Sequence, residues 1–314
     1  MKLHNFIFSI EDYGKTHRQI KLLGIKIKFP KFRYIRKKKE NPYYEYKKNN
    51  LDIRTIPKAT GQIRDIQLAN LALLKELDYV CKQANLQYWL DYGTLLGAVR
   101  HKGYIPWDDD IDVSMLRDDY DKIIDAFEKY SRDKNIYAKF EIAETTAYRV
   151  AIKIRHKRCK HLFVDVFPND LYGDHVSTKQ QEQITKELKK QWEYLQKELT
   201  SDTPVKIAQE KFDKVIKNNL KNKCSNSDIL MGMDFYHSRK YWLYDNEIFF
   251  PLVDIEFEGY SFPAVNQPVV YLERVYGDYM AYPEKIGFGH NSYVQLSNED
   301  NEVIKSLIND LENM

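Results

Sequence analysis

Cysteine is scarce. The 314 residues hold three, Cys81, Cys159 and Cys224, far apart and with no Cys-x-x-Cys pair. That spacing excludes a disulfide framework and a zinc knuckle, and it suits a reducing, cytoplasmic compartment. Long apolar runs are missing too: nothing reaches the roughly 18 residues of a membrane-crossing helix. No signal peptide is expected, because Glu11 and Asp12 stand where a cleavage site should follow the short apolar run of MKLHNFIFSIEDYG. Neither internal repeats nor low-complexity segments are visible. Acid is absent between Tyr13 and Lys39, a stretch with eleven Lys or Arg; with a net charge of +3, the rest of the chain carries −8. A basic arm therefore precedes a mildly acidic body. Basic residues interleaved with Ile, Leu and Phe suit peripheral contact with anionic membrane through residues 15–39, on the inner face of the cell membrane. The acidic body argues against nucleic acid.

What is present can bury a sizeable core: 43% of the chain is hydrophobic and 14% aromatic. One elaborated domain with appendages is expected. Residues 1–60 read as the basic arm and a polar linker, with one small strand in GIKIKF. Ile63, Ile66, Leu73, Leu77, Val80 and Ala84 recur at helical steps and predict a long helix over 62–87. LQYWLDY reads as a buried strand, TLLGAVRHKG as a short helix, DIDVSM as a second strand and RDDYDKIIDAFEKYS as a second amphipathic helix. YRVAIKIRHK and HLFVDVFP add two more strands. This order predicts an α/β (α+β) core over 61–175 whose chemistry sits at strand ends. Residues 176–240 read as a charged helical insertion. Residues 241–314 form an aromatic, Pro-punctuated tail.

WDDDIDVSM places Asp108, Asp109, Asp110 and Asp112 within five positions. Side chains alternate along a strand, so Asp110 and Asp112 share a face, and Asp108 joins them if the strand extends that far. Carboxylates so placed need a counter-charge. Hard oxygen ligands select Mg²⁺ or Mn²⁺, usually with water and a substrate phosphate. A calcium loop fails, because Val113 stands where the turn needs glycine and Asp119 where it needs glutamate. A metal-dependent glycosyltransferase site and a solvated acidic turn are the other readings; the first lacks an opening βαβ unit, the second is at odds with apolar Trp107, Ile111 and Val113. Gly93-Thr94, between strand and helical turn, can offer backbone N–H groups to phosphate. Arg100, His101 and Lys102 can add positive charge.

The stretch YWLDYGTLLGAVRHKGYIPWDDDIDVSM closely resembles the signature of the LicD family, which includes bacterial phosphorylcholine transferases and fukutin-related ribitol-phosphate transferases. The resemblance continues in HLFVDVFPND, FEGYSFPAV and YLERVYGDYMAYP. It covers roughly residues 62–175 and 240–292, and leaves out the basic arm and the helices of 176–222. It implies a nucleotidyltransferase-like fold, a mixed sheet flanked by helices, with 241–314 completing the catalytic domain. It implies a CDP-activated alcohol as donor, CMP as leaving group, and a sugar hydroxyl as acceptor on a cell-surface glycan or lipid-linked oligosaccharide. Carried over by position, Asp110 and Asp112 match the family's metal-binding acids, and Asp108 completes the D-x-D-x-D pattern. Asp165 is similar to a further acid that holds metal or accepts the proton of the attacking hydroxyl. Gly93 and Thr94 match the phosphate turn. Lys153, which alternates onto one strand face with Ala151 and Arg155, can contact donor phosphate. Tyr276, Gly277 and Asp278 match the C-terminal motif, and His290 reaches the site only if the tail folds back. The zinc-finger cysteines of some animal members are absent, so no structural zinc is expected. For a choline donor, Trp107, Tyr104 and Trp242 are candidate cage aromatics. Ribitol, glycerol and ethanolamine donors stay open, as do a nucleotide-sugar glycosyltransferase and a non-catalytic nucleotide-binding scaffold.

Overall fold

The structure, a computed structural model, describes residues 8–13, 17–22, 25–30, 43–142, 150–173, 177–199, 203–219, 228–232, 243–287, 291 and 294–312. The chain divides into two units, 1–44 and 45–314. Trp242, Cys224, His290 and residues 31–42 lie outside the described residues.

In the first unit, β1 (Phe8–Tyr13), β2 (His17–Leu22) and β3 (Ile25–Pro30) form an antiparallel meander. Its register sets Ile10 opposite Ile20 and Ile20 opposite Ile27. The anticipated strand in GIKIKF is β3, and two partner strands join it in a segment read from the sequence as an arm with one strand. The division also falls before the expected linker end at 60. Ile53, Ile56 and Ala59 are buried, and Lys47 Nζ donates to the carbonyls of Pro283 at 2.6 Å and Glu284 at 2.8 Å. Residues 45–60 are thus tied to the larger unit by packing that a polar composition conceals.

The larger unit runs α1 (Tyr43–Lys48, which begins at the boundary), α2 (Gln62–Ala84), β4 (Trp89–Leu90), α3 (Tyr92–His101), β5 (Asp112–Leu116), α4 (Arg117–Tyr120), α5 (Ile123–Tyr130), β6 (Ile136–Ile142), β7 (Val150–His156) and β8 (Cys159–Tyr172). It continues with α6 (Thr178–Glu198), α7 (Val205–Asn219), β9 (Asp228–Met231), β10 (Leu243–Tyr244), α8 (Asn246–Phe249), β11 (Val253–Phe257), β12 (Tyr260–Ala264), α9 (Pro268–Tyr276) and α10 (Asn298–Glu312). Among the described residues, seven strands make one mixed sheet: β10-β9-β8-β5-β4 in order, with β7 on β8 and β6 on β7. The parallel pair is β5 with β8; the other neighbours are antiparallel. The long strand β8 serves β5 on one edge and β7, then β9, on the other. The α+β class expected from the sequence is the one observed.

α2 is the helix its spacing predicts, and it ends where Asn85 adopts the left-handed conformation and its N–H caps the carbonyls of Cys81 and Lys82. Ile66, Leu73, Leu74, Leu77 and Val80 are fully buried, as are the polar Gln67 and Asn70. The expected strand over LQYWLDY shortens to two residues, because Asp91 turns the chain into α3.

Two buried ion pairs lock the periphery. Arg117, the first residue of α4, grips Asp170 on β8 through Nε–Oδ1 at 2.8 Å and Nη2–Oδ2 at 3.0 Å. Glu258, in the β11–β12 turn, receives Arg64 on both oxygens (3.1 and 2.7 Å), Lys58 (2.7 Å) and the Tyr104 N–H (3.1 Å). Among the described residues, no helix is long and apolar enough to cross a membrane.

Candidate functional site

The parallel ladder between β5 and β8 creates the site. Asp112 opens β5 and stands opposite Asp165, while the Asp165 N–H donates to the Ile111 carbonyl at 2.8 Å. Opposed residues in a sheet point to the same side, so the two carboxylates meet. Asp110, just before the strand, joins them. One oxygen from each of Asp110, Asp112 and Asp165 lies within 4.8 Å of the others, and all three are half-buried. Three hard oxygens at that spacing, open on one side, fit a single octahedral cation that keeps water or phosphate in its other positions.

The remaining acids of the run have other roles. Asp109 is fully buried, and its Oδ2 accepts from the Asn291 N–H at 2.7 Å. The carbonyls of Asp108 and Asp109 are held from α2, by Gln67 Nε2 at 2.7 Å and Asn70 Nδ2 at 2.8 Å. Asn70 also accepts the Phe163 N–H at 3.0 Å, joining the acidic loop to β8. Asp108 was expected among the metal ligands; it lies outside the three-acid cluster and bonds Asp110 through its side chain. Burial, then repulsion from Asp110, pushes the Asp108 carboxyl well above the usual carboxylate range. Burial also raises Asp165, and the Lys153 ammonium opposes that rise.

α3 supplies the opposite wall. Asp91 caps it: one oxygen accepts the Tyr92 N–H at 2.7 Å and the Tyr271 hydroxyl, the other the Ser114 hydroxyl at 2.5 Å. Tyr92 follows with φ +41°, rare for a bulky residue, and its ring meets Phe167 edge-on at 5.2 Å. Gly93 then passes the acids so closely that a Cβ there would stand 2.9 Å from Asp108 Oδ2 and 3.8 Å from Asp112 Oδ2. A helix N-terminus beside clustered carboxylates favours their ionised form and can receive phosphate. Thr94 Oγ1 accepts the Asp112 N–H at 2.8 Å. Its hydroxyl therefore fixes the strand end that carries the acid.

Lys153 stands opposite Asp165 across the β7–β8 ladder, with Nζ 2.6 Å from Asp165 Oδ1. Arg100 lies near the far end of α3, about 10 Å along the axis from Gly93. It is buried, donates to the Tyr279 carbonyl at 2.7 Å, and is lowered to about 10 by burial. Tyr276 is exposed, Gly277 ends α9 at φ +70°, and Asp278 accepts the Met280 N–H at 3.2 Å, so this motif shapes a turn. Tyr104 does not face a ligand: its hydroxyl donates to the Gln67 carbonyl at 2.7 Å and its ring packs on Phe257. Trp107 is buried too. Sequence reasoning missed Gln67, Asn70, Asp91, Ser114 and Tyr271. Only Asp91 left a local signal, an acid directly before a helical pattern.

Comparison with known proteins adds an independent line. Residues 85–201 match the family described as LicD/FKTN/FKRP, nucleotidyltransferase domain. The chain is 32% identical over 246 residues, 70% of its own length and 92% of the other's, to the lipopolysaccharide cholinephosphotransferase LicD of Haemophilus influenzae. It is 31% identical over 106 residues, 33% of its length and 40% of the other's, to the uncharacterized protein RP689 of Rickettsia prowazekii. It is 32% identical over 92 residues to the ribitol 5-phosphate transferase FKRP of Homo sapiens, covering 28% of this chain and 18% of that protein.

Proposed function

The chain belongs to the LicD/FKTN/FKRP family, and from that premise we propose that it is a phosphotransferase moving a phospho-alcohol from a CDP-activated donor to a sugar hydroxyl of a cell-surface glycan, with CMP released. The observation that carries the reading is the trio Asp110, Asp112 and Asp165 facing the N-terminal turn of α3. The named activities of two relatives, cholinephosphotransferase and ribitol 5-phosphate transferase, are both transfers of a phospho-alcohol.

Asp110, Asp112 and Asp165 would hold Mg²⁺ or Mn²⁺, which neutralises charge on the donor's phosphates when bound. The backbone N–H groups of Gly93 and Thr94 receive phosphate oxygen at the helix N-terminus. Thr94 and the α2 amides keep Asp112 and the acidic loop in place. The acceptor oxygen attacks the phosphorus bearing the alcohol while the bridging oxygen leaves with CMP. Asp165 would help hold the metal and is assigned the proton of the attacking hydroxyl. Positioning and charge stabilisation supply most of the rate, as in phosphoryl transfer generally.

The test is CMP release by the purified protein. CDP-choline, CDP-ethanolamine, CDP-glycerol and CDP-ribitol are offered separately with a glycan acceptor extract, with Mg²⁺ or EDTA, beside Asp110→Asn and Asp112→Asn. Metal-dependent CMP from one donor, lost by orders of magnitude in both variants, is the expected result. Normal turnover in Asp112→Asn would refute the site. Turnover of a UDP-sugar instead would establish a glycosyltransferase.

A further inference from the structure

We propose that Lys153 is a built-in occupant of the metal position: its ammonium neutralises Asp165 until a divalent cation takes that carboxylate, and it then swings to the donor's diphosphate. Cation and donor would thereby strengthen each other's binding. This deepens the reading above and rests on its metal assignment.

The geometry starts with a row across the sheet. Lys139 on β6 stands opposite Lys153 on β7, Lys153 opposite Asp165 on β8, and Asp165 opposite Asp112 on β5. Two cations and two acids thus lie in register on one side of four strands. Lys153 sits at the junction, 2.6 Å from Asp165 Oδ1 and 4.0 Å from the centroid of the Phe163 ring. Its side chain is 20% exposed and that of Asp165 17%, so the pair is sheltered but reachable.

A dication on Asp110, Asp112 and Asp165 would confront an ammonium already on one of its ligands. Like charges so close repel strongly where water is partly excluded. The neighbouring ladder offers the displaced lysine little: its acid Glu141 is already held by Lys139 at 3.0 Å and by Arg155 at 2.6 Å. A lysine carries its charge on a flexible four-carbon stem, so Nζ can turn away from Asp165 and the Phe163 ring while its backbone stays in the β7–β8 ladder. An incoming anion bridging the metal is the partner such a released cation would meet. In its absence the cation must expel Lys153 unaided; in its presence the expelled charge finds a new partner. Both steps share that cost, which makes the two bindings cooperative.

The experiment titrates Mn²⁺ into wild type, Lys153→Met, Lys153→Arg and Asp112→Asn by calorimetry, each alone and with CDP, a diphosphate that carries no alcohol to transfer. CMP serves as the monophosphate control. Without nucleotide, Lys153→Met should bind Mn²⁺ at least about tenfold tighter than wild type. CDP should tighten Mn²⁺ binding more than CMP does in wild type and in Lys153→Arg, and should do so several-fold less in Lys153→Met, where only the direct attraction between metal and diphosphate remains. Methionine keeps an unbranched side chain of similar length without the charge, and an unchanged unfolding midpoint checks the fold. Equal or weaker Mn²⁺ binding by Lys153→Met, or a CDP effect in it as large as in wild type, would overturn the proposal. If wild type binds Mn²⁺, Asp112→Asn does not, and Lys153→Met matches wild type, the role of Lys153 alone falls. If neither wild type nor Lys153→Met binds Mn²⁺, the metal assignment falls with it.

Discussion

Asp91 offers a sharp test, because its two oxygens do different work. Oδ1 receives the first N–H of α3 and the Tyr271 hydroxyl; Oδ2 receives the Ser114 hydroxyl. The residue is 1% exposed, so water cannot easily replace it. Asp91→Ala removes a helix cap, at about 1 kcal/mol, and strands two buried hydroxyls at about 1–3 kcal/mol each. Partial relaxation leaves an expected loss of roughly 3–5 kcal/mol. Asp91→Asn is gentler. Its amide oxygen keeps the Tyr92 and Tyr271 bonds, and its NH₂ can donate to Ser114 Oγ, which turns from donor to acceptor. That variant should lose only about 1 kcal/mol. Urea unfolding followed by circular dichroism reads both, with the slope expected to stay constant. CMP release should drop further in the alanine variant, since Gly93 then loses its anchor against the acids. Similar stability losses in the two variants, or a loss below about 1 kcal/mol for alanine, would refute this account of the cap.

Three further outcomes follow from the geometry. Gly93→Ala should fold, with a loss of no more than about 1–2 kcal/mol from crowding, yet weaken Mn²⁺ binding in a calorimetric titration, because a Cβ 2.9 Å from Asp108 Oδ2 displaces the acids. Glu258→Ala should cost about 3–5 kcal/mol in a denaturant titration, since it leaves Arg64 half-buried without its bidentate partner; because Arg64 and Lys58 outweigh burial and hold Glu258 below its usual 4.5, its contribution is present above that pH and fades as pH falls through the depressed value. His101 is lowered from 6.5 to about 4 by burial and then by Arg100, so the unfolded chain binds the extra proton between those values; stability should fall as pH drops through that window, by at most roughly 3 kcal/mol, and His101→Gln should flatten that part of the unfolding profile.

Legibility in the sequence tracked the range of each interaction. Asp110 and Asp112 were readable because strand alternation is local, and Asp165 because it lies inside a recognisable segment. Which acid of the run turns inward was not readable. Asp109 owes its burial to Asn291, and no pattern in DDDID distinguishes it from Asp108. Tyr271 reaches Asp91 across 180 positions, and Tyr104 reaches Glu258 across 154. Such contacts leave no periodic trace. Gln67 and Asn70 would be assigned to the wet face of a helix on polarity alone, yet both are buried because they hold the carbonyls beneath the acids. Arg100 shows the converse: a cation at a helix end looks like a ligand for phosphate, and here it fastens the 279 turn. The short, aromatic β4 and the tie of residues 45–60 to the larger unit escaped for the same reason.

The strand pairing at Tyr172 and Asp228 has an engineering consequence. These residues are direct partners on β8 and β9, so the chain that leaves the sheet at one returns beside it at the other. Backbones at such a pair are about 5 Å apart, a gap that a two-residue hairpin could close. Everything between them, α6 and α7 included, hangs from a socket whose two terminals are adjacent. A graft of different length or fold could be joined there with β8 and β9 still paired, provided that it covers the faces of β6 and β7 on which α7 packs.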